Sequence, residues 1–148
     1  MDNDIDYRHL TGEAQLRSAF AVMRELRPHL INEAAFVRQI ERQHGQGYHL
    51  LAACRAGQPV ALAGYRVTEN LLYGKFVYVD DLVVTAAQQR HGLGGRLLHE
   101  VRARALAAGC EHVVLDTGLH MAHAQRFYFR QGLLARGMHF VEPLGEAA

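Results

Sequence analysis

Apolar residues near the start of the chain recur at the spacing of one helix face. This spacing predicts a first helix that ends before Pro28. Its apolar positions are Leu16, Ala19, Phe20, Met23 and Leu26. Asn32 is a suitable N-cap for a second helix, and Ile31 is placed to pack on Phe36 as a hydrophobic staple. The weakly alternating segment Ile5–Leu10 predicts a strand before both helices.

Two runs of β-type residues follow, Tyr48–Arg55 and Pro59–Val67. They flank the short segment Ala56-Gly57-Gln58, a spacing typical of a hairpin, so we expect them to be antiparallel. A third run, Lys75–Val84, is rich in Val, Tyr and Phe and predicts another strand.

The second half of the chain has a helical apolar pattern that ends at Gly109. Its apolar positions are Leu93, Leu97, Leu98, Val101, Ala105 and Ala108. We expect a short strand at His112–Asp116, a helix at Ala122–Gln131 and a last strand at Met138–Val141. Residues 79–115 therefore form a β-turn-α-β unit, which implies a right-handed crossover between two parallel strands.

Composition limits the class of protein. The chain has 148 residues, 49% of them hydrophobic, and 3 prolines, so we expect one domain spanning residues 1–148. With a formal net charge of +1 and no basic stripe, nucleic acid is not an expected partner. No apolar run approaches the roughly 20 residues of a membrane span, so we expect no membrane partner and a cytoplasmic protein.

A glycine-rich turn, Gln89-Arg90-His91-Gly92-Leu93-Gly94-Gly95, joins the third β-type run to the following helix. Such a turn aims backbone N–H groups and the positive end of a helix dipole at one point, which predicts an anion site. A tight turn with no ligand is the alternative interpretation. Arg96 and Leu97 stand where a Walker A loop needs Lys and Ser or Thr, and Leu97 also replaces the third glycine of a dinucleotide fingerprint.

Two motifs in this order resemble the GNAT superfamily of N-acetyltransferases. Gln89 to Gly94 matches the signature Arg/Gln-x-x-Gly-x-Gly/Ala, and the preceding strand Val79–Val84 looks like the family's fourth. The stretch Ala124–Leu133 is similar to the family block Ala-x-x-Phe-Tyr-x-x-x-Gly-Phe. The resemblance implies an α/β fold of α+β type. Its mixed sheet would have six to seven strands, with an antiparallel N-terminal half and a parallel central pair, flanked by about four helices.

The resemblance also implies acetyl-CoA as the acetyl donor. It assigns the backbone of Leu82, Val83 and Val84 to the pantetheine arm. It assigns the turn to the pyrophosphate, and the residues of this cradle are Gln89, Arg90, His91, Gly92, Leu93, Gly94 and Gly95. Glycines suit this role because they let phosphate oxygens approach peptide N–H groups closely. A homodimer is an expectation that rests on the resemblance alone.

Asp80 and Tyr128 are the candidate catalytic residues that the resemblance implies. Asp80 would act on the amine through water or by attracting the cation, and Tyr128 would stabilise the departing thiolate. The alternatives are a salt-bridged strand carboxylate for Asp80 and a core aromatic for Tyr128. Asp81 should face away from Asp80 unless a bulge intervenes. A backbone N–H near Val83 is expected to meet the oxyanion.

The predicted function is therefore transfer of an acetyl group from acetyl-CoA to a primary amine of a small molecule, in a ternary complex. A non-catalytic acyl-CoA-binding domain and a lysine or N-terminal acetyltransferase of proteins are the alternatives. His120 and His123 lie three residues apart, but no cysteine or acidic residue at diagnostic spacing completes a zinc site, so we expect no metal.

Overall fold

The computed structural model of this protein describes residues 4–145, so the first and last three residues of the predicted single domain lie outside the described range. The described residues fall into two compact units, one ending at Leu115 and the other beginning at Asp116. None of the helices in this range combines the length and apolar character that a membrane span requires.

The first unit contains one five-stranded sheet in the order β1-β2-β3-β4-β5. Its strands are β1 (Ile5–His9), β2 (Tyr48–Arg55), β3 (Gln58–Asn70), β4 (Gly74–Val84) and β5 (His112–Leu115). The first four strands pair antiparallel with their neighbours, and β4 pairs with β5 in parallel. The predicted hairpin and the predicted parallel pair are both confirmed.

Three helices cover this sheet, α1 (Glu13–Leu26), α2 (Glu33–His44) and α3 (Leu93–Ala107). Successive residues of a strand point to opposite faces, and the core is accordingly divided in two. Leu50 and Ala52 of β2 belong to the cluster that contains the buried residues of α1 and α2. Leu51 and Ala53 belong to the cluster that contains those of α3. The sheet therefore lies between α1 and α2 on one face and α3 on the other.

The start of α2 tests two local predictions. The side chain of Asn32 accepts a hydrogen bond from the backbone N–H of Ala35 at 2.9 Å, which confirms the predicted N-cap. Phe36 is buried, but Ile31 is 82% exposed. The predicted staple between Ile31 and Phe36 is therefore wrong, and Phe20 of α1 packs on Phe36 instead, with 5.5 Å between the ring centroids.

The second unit contains α4 (Ala122–Arg130), close to the predicted bounds. Gln125 Nε2 donates to the carbonyl oxygens of Gly118 and Leu119 at 3.0 and 2.9 Å, which fixes the turn before this helix. The predicted strand Met138–Val141 is absent from the described residues, so the sheet has five strands rather than six to seven. Phe140 is 85% exposed, and β propensity alone does not form a strand without pairing or burial.

Candidate active site

A β-bulge lies in β4 where the sequence places its two adjacent carboxylates. Gly64 and Tyr65 are consecutive in β3, but they pair with Asp81 and Val79 of β4, so Asp80 is the extra residue. The parallel pairing of β4 with β5 ends at Val79 and Leu115, one residue before the bulge. Bulges bend a strand and re-aim its side chains. Strand β4 therefore leaves β5 at Asp80. The bulge is the feature that allows the side chains of Asp80 and Asp81 to lie on the same face of the sheet.

Asp81 is held on the α1 side of the sheet by two side chains. Arg27, the C-cap of α1, donates from Nε and Nη2 to Asp81 Oδ1 at 3.0 and 2.9 Å. Tyr48 of β2 donates its hydroxyl to Asp81 Oδ2 at 2.8 Å. Burial, together with the carboxylate of Asp81, raises the pKa of Tyr48, so the phenol remains a donor. Both oxygens of Asp81 thus have partners within the protein.

Asp80 is less completely bonded. Arg66 Nε donates to Asp80 Oδ2 at 3.0 Å, and the guanidinium of Arg66 lies over the ring of Tyr48. Among the described residues, no hydrogen bond to Asp80 Oδ1 is found. Burial raises the pKa of Asp80 above its ordinary value, although the hydrogen bond and charge of Arg66 oppose this shift. Asp80 therefore combines a salt-bridged oxygen with one that can accept a further donor.

The three residues after the bulge form the edge of β4 that β5 no longer covers. Leu82, Val83 and Val84 pair with β3 on one side only. The side chain of Gln89 donates to the carbonyl oxygen of Val84 at 3.0 Å. This contact ties the start of the glycine-rich turn to the end of β4.

The glycine-rich turn leads directly into α3. Arg90 and Gly92 have φ of 70° and 75°, a left-handed conformation that Gly92 adopts without steric cost. Gly92 is the N-cap of α3 and provides no side-chain cap, so the first N–H groups of the helix, at Leu93, Gly94 and Gly95, are not capped by it. Gln89, Arg90, His91 and Gly92 are exposed, whereas Leu93 is buried in the core. This geometry fits an anion site.

A side chain from α1 anchors the segment between β4 and the turn. Glu25 accepts hydrogen bonds from the hydroxyl of Thr85 at 2.5 Å and from the backbone N–H of Ala86 at 2.9 Å. Arg55 of β2 donates to the side chain of Gln88. Helix α1 and strand β2 therefore both hold the segment that precedes the turn, in addition to the hydrogen bond from Gln89 to Val84.

Residues 15–133 match the Acetyltransferase (GNAT) family. The chain belongs to this family. It is 30% identical over 124 residues to the uncharacterized N-acetyltransferase YhdJ of Bacillus subtilis, a match that covers 84% of this chain and 87% of that protein.

Solved structures show the same GNAT fold. A putative acetyltransferase from Agrobacterium tumefaciens superposes with a TM-score of 0.80 at 22% identity, covering 94% of this chain and 99% of the other. The aminoglycoside N-acetyltransferase AAC(6')-Iy, solved in complex with CoA, superposes with a TM-score of 0.82 at 14% identity, covering 95% and 94% of the two chains.

Tyr128, the second candidate catalytic residue of this GNAT chain, lies in α4 of the second unit, whereas Asp80 belongs to the first unit. Its side chain is partly buried and its ring meets that of Phe127 edge-on, at 5.3 Å between centroids. His120 and His123 are exposed. No group of three or more histidine, cysteine or acidic side chains in the described range could hold a metal ion. The catalytic and cofactor-binding assignments stay predictions.

Sequence reasoning missed the side chains that hold Asp81. Arg27 and Tyr48 lie 54 and 33 residues from it in the chain, and nothing local marks them as its partners. The one available signal was the pair of adjacent carboxylates in a strand whose other residues are mostly apolar. Two partly buried carboxylates need cationic or hydroxyl partners, and such partners can be sought on the elements that pack on that face.

Proposed function

We propose that this GNAT protein transfers the acetyl group of acetyl-CoA to a primary amine of a small molecule, by direct attack in a ternary complex. The observation that carries the proposal is the arrangement on β4, where an uncovered strand edge at Leu82–Val84 follows a carboxylate with one free oxygen. The α3 N-terminus, whose N-cap Gly92 supplies no side-chain cap, comes next along the chain. We assign the strand edge to the pantetheine arm of acetyl-CoA, the start of α3 to its pyrophosphate, and the carboxylate of Asp80 to the acceptor amine.

The donor would lie along β4 and the start of α3. Backbone N–H and C=O groups at the uncovered edge of β4 can pair with the amides of a pantetheine arm, in the manner of an added strand. The pyrophosphate would accept hydrogen bonds from the turn Arg90–Gly95, where the helix dipole favours negative charge. A Cβ built on Gly92 would meet no atom of another part of the described chain within 4 Å, which supports this placement because a ligand can approach the backbone there.

Asp80 would act on the acceptor amine. An alkylammonium must lose a proton before its nitrogen can attack the thioester carbon, which at pH 7 costs about 4 to 5 kcal/mol. The free Oδ1 of Asp80 can accept that proton through a water molecule, or attract the ammonium ion electrostatically. A backbone N–H near Val83 would stabilise the oxyanion that forms as nitrogen bonds to the carbonyl carbon.

Tyr128 would assist the departure of CoA. When the carbon–sulfur bond breaks, the electron pair stays on sulfur as a thiolate. A phenol near pKa 10 is a weaker acid than a thiol near 8.5, so hydrogen bonding to the thiolate is the easier role for a tyrosine. Assignment of Tyr128 rests on the match of residues 124–133 to the family block.

A small-molecule acceptor is supported by the shared fold with AAC(6')-Iy, an aminoglycoside N-acetyltransferase. The test is a thiol-release screen of acetyl-CoA against amines, polyamines, amino acids, aminoglycosides and peptides. We expect release with at least one small amine. Release only with peptides would indicate a protein acetyltransferase, and acetyl-CoA binding without release would indicate a non-catalytic acyl-CoA-binding domain.

Donor binding is tested separately by thermal shift with acetyl-CoA, ATP and NAD. A ligand present at about 100 times its dissociation constant stabilises a protein by roughly 2.7 kcal/mol. We expect this stabilisation with acetyl-CoA alone. No shift with acetyl-CoA would overturn the proposal.

A further inference from the structure

We propose that Arg27 and Tyr48 act through Asp81 as positioning residues, which hold the bulge of β4 and aim the carboxylate of Asp80. The effect of these residues on catalysis rests on the proposed function. Their effect on the bulge and on the ionisation of Asp80 does not. Neither residue belongs to the glycine-rich turn or to the uncovered edge of β4.

The first observation is the hydrogen bond that the backbone carbonyl group of Asp80 accepts. The extra residue of a bulge is left unpaired in the ladder, so its backbone polar groups need other partners. Arg27 Nη2 donates to the carbonyl oxygen of Asp80 at 2.9 Å, while the same guanidinium binds Asp81 Oδ1. One side chain therefore satisfies the unpaired carbonyl of the bulge and fixes the residue that follows it. A planar guanidinium can bond both, and a lysine ammonium lacks this fork geometry.

The second observation is the position of the Tyr48 side chain, which reaches Asp81 from β2. Tyr48 is 1% exposed, and its ring lies close against Gly64 of β3. A Cβ on Gly64 would stand 1.8 Å from the hydroxyl oxygen of Tyr48, so only glycine leaves room for this ring. Gly64 is also the residue that pairs with Asp81 at the bulge. The register of the bulge and the space for Tyr48 thus depend on the same position.

The third observation is the balance of charged groups around Asp80. The groups that act on Asp80 are Arg66 of β3, Arg27 of α1 and the adjacent Asp81. The two arginines balance the two carboxylates, and Tyr48 adds a neutral donor. Loss of Arg27 would leave two adjacent carboxylates with one cation between them, which disfavours ionisation of both.

The experiment compares Arg27→Met, Arg27→Lys and Tyr48→Phe with the wild-type chain. Two quantities are measured, the ionisation midpoint of Asp80 by carbon-13 NMR of its carboxyl group, and acetyl-CoA affinity by calorimetry. Arg17→Met is the matched control for Arg27→Met, because Arg17 also lies on α1 and binds two carboxylates, those of Glu13 and Glu33. Tyr65→Phe is the control for Tyr48→Phe, because Tyr65 is buried and its hydroxyl bonds to His9.

We expect Arg27→Met to raise the midpoint of Asp80, since the charge of Arg27 lowers the pKa of this carboxyl group. Arg27→Lys should keep the midpoint close to wild type but weaken acetyl-CoA binding by roughly fivefold, the equivalent of one hydrogen bond. Tyr48→Phe should weaken acetyl-CoA binding by a similar factor. Both controls should match the wild-type chain.

Wild-type midpoint and affinity in folded Arg27→Met and Tyr48→Phe variants would overturn the inference. If Arg27→Met does not fold, Arg27→Lys and Tyr48→Phe decide the question through acetyl-CoA affinity. Failure of the proposed function has a different result, because the wild-type chain itself would then either bind no acetyl-CoA or bind it without releasing thiol in the presence of small amines. The NMR titration would still report whether Arg27 governs Asp80.

Discussion

Replacing Gly64 with alanine is the sharpest test of how the bulge of β4 is built. The new Cβ would lie 1.8, 2.4 and 2.6 Å from the hydroxyl oxygen, Cζ and Cε1 of Tyr48. Contacts this short cannot be absorbed by small adjustments in a close-packed interior, and the ring is 1% exposed. Tyr48 must therefore move and release Asp81.

The size of the effect follows from two contributions. Forced displacement of a packed core side chain costs about 1 to 3 kcal/mol. Loss of a hydrogen bond to a charged group costs about 1.5 to 3 kcal/mol. We expect Gly64→Ala to lower the free energy of unfolding by about 3 to 5 kcal/mol, which for a chain of this size lowers the melting temperature by roughly 10 to 15 °C.

A double-mutant cycle measured by urea unfolding separates this clash from other effects of the substitution. Tyr48→Leu removes the ring atoms that the new Cβ would meet, so Gly64→Ala in the Tyr48→Leu background should change the free energy of unfolding by no more than about 0.5 kcal/mol. Gly137→Ala is the control, because among residues 4–145 a Cβ built at Gly137 meets no atom within 4 Å beyond its chain neighbours. Equal costs of Gly64→Ala in both backgrounds would show that contact with the Tyr48 ring is not what destabilises the variant.

Further predictions concern the chemistry and the local structure. Asp80→Asn should slow acetyl transfer most near pH 6 to 7 and least as pH approaches the amine pKa, near 10, because only a protonated amine needs the carboxylate; a loss of equal size at every pH would indicate a binding role. Tyr128→Phe should lower turnover tenfold or more with little change in acetyl-CoA affinity by calorimetry, and unchanged thiol release would remove Tyr128 from the mechanism. Gly92→Ala, at φ of 75°, should cost about 1 kcal/mol in urea unfolding and weaken acetyl-CoA binding. Asn32→Ala should destabilise the chain by about 1 kcal/mol in the same assay, since it removes the cap on Ala35.

The elements could be predicted from sequence wherever local signals agree. Strand β2 has the predicted bounds, Tyr48–Arg55, because apolar residues, a hairpin turn and β propensity all favour it. The parallel pair of β4 and β5 follows from the β-turn-α-β order, which restricts the topology. The failure at Met138–Val141 has the opposite cause, since the apolar residues favour a strand there but no neighbouring strand pairs with them among the described residues.

The bulge could not be predicted from the sequence of β4, because it depends on the register in which β4 pairs with β3. Its extra residue is defined only by which residues of β3 lie opposite, and Gly64 reveals its function only when Tyr48 is placed beside it. The sequence does allow the conditional statement that both aspartates share a face only if a bulge intervenes. A register cannot be computed from the spacing of apolar residues when both faces of the strand are partly buried.

Hydrogen-bond capacity distinguishes two aspartates that the sequence places side by side. Asp81 directs both of its oxygens to Arg27 and Tyr48, and it is the less exposed of the two, at 15% against 24% for Asp80. An incoming ammonium ion would have to displace one of these partners, and displacing the buried Tyr48 would leave its hydroxyl group unsatisfied, which costs about 1 to 3 kcal/mol. Asp80 can accept a proton or a cation at Oδ1 without breaking any bond that the structure describes. This difference favours Asp80 as the group that meets the amine, and it gives Asp81 a separate role in fixing the strand from which Asp80 projects.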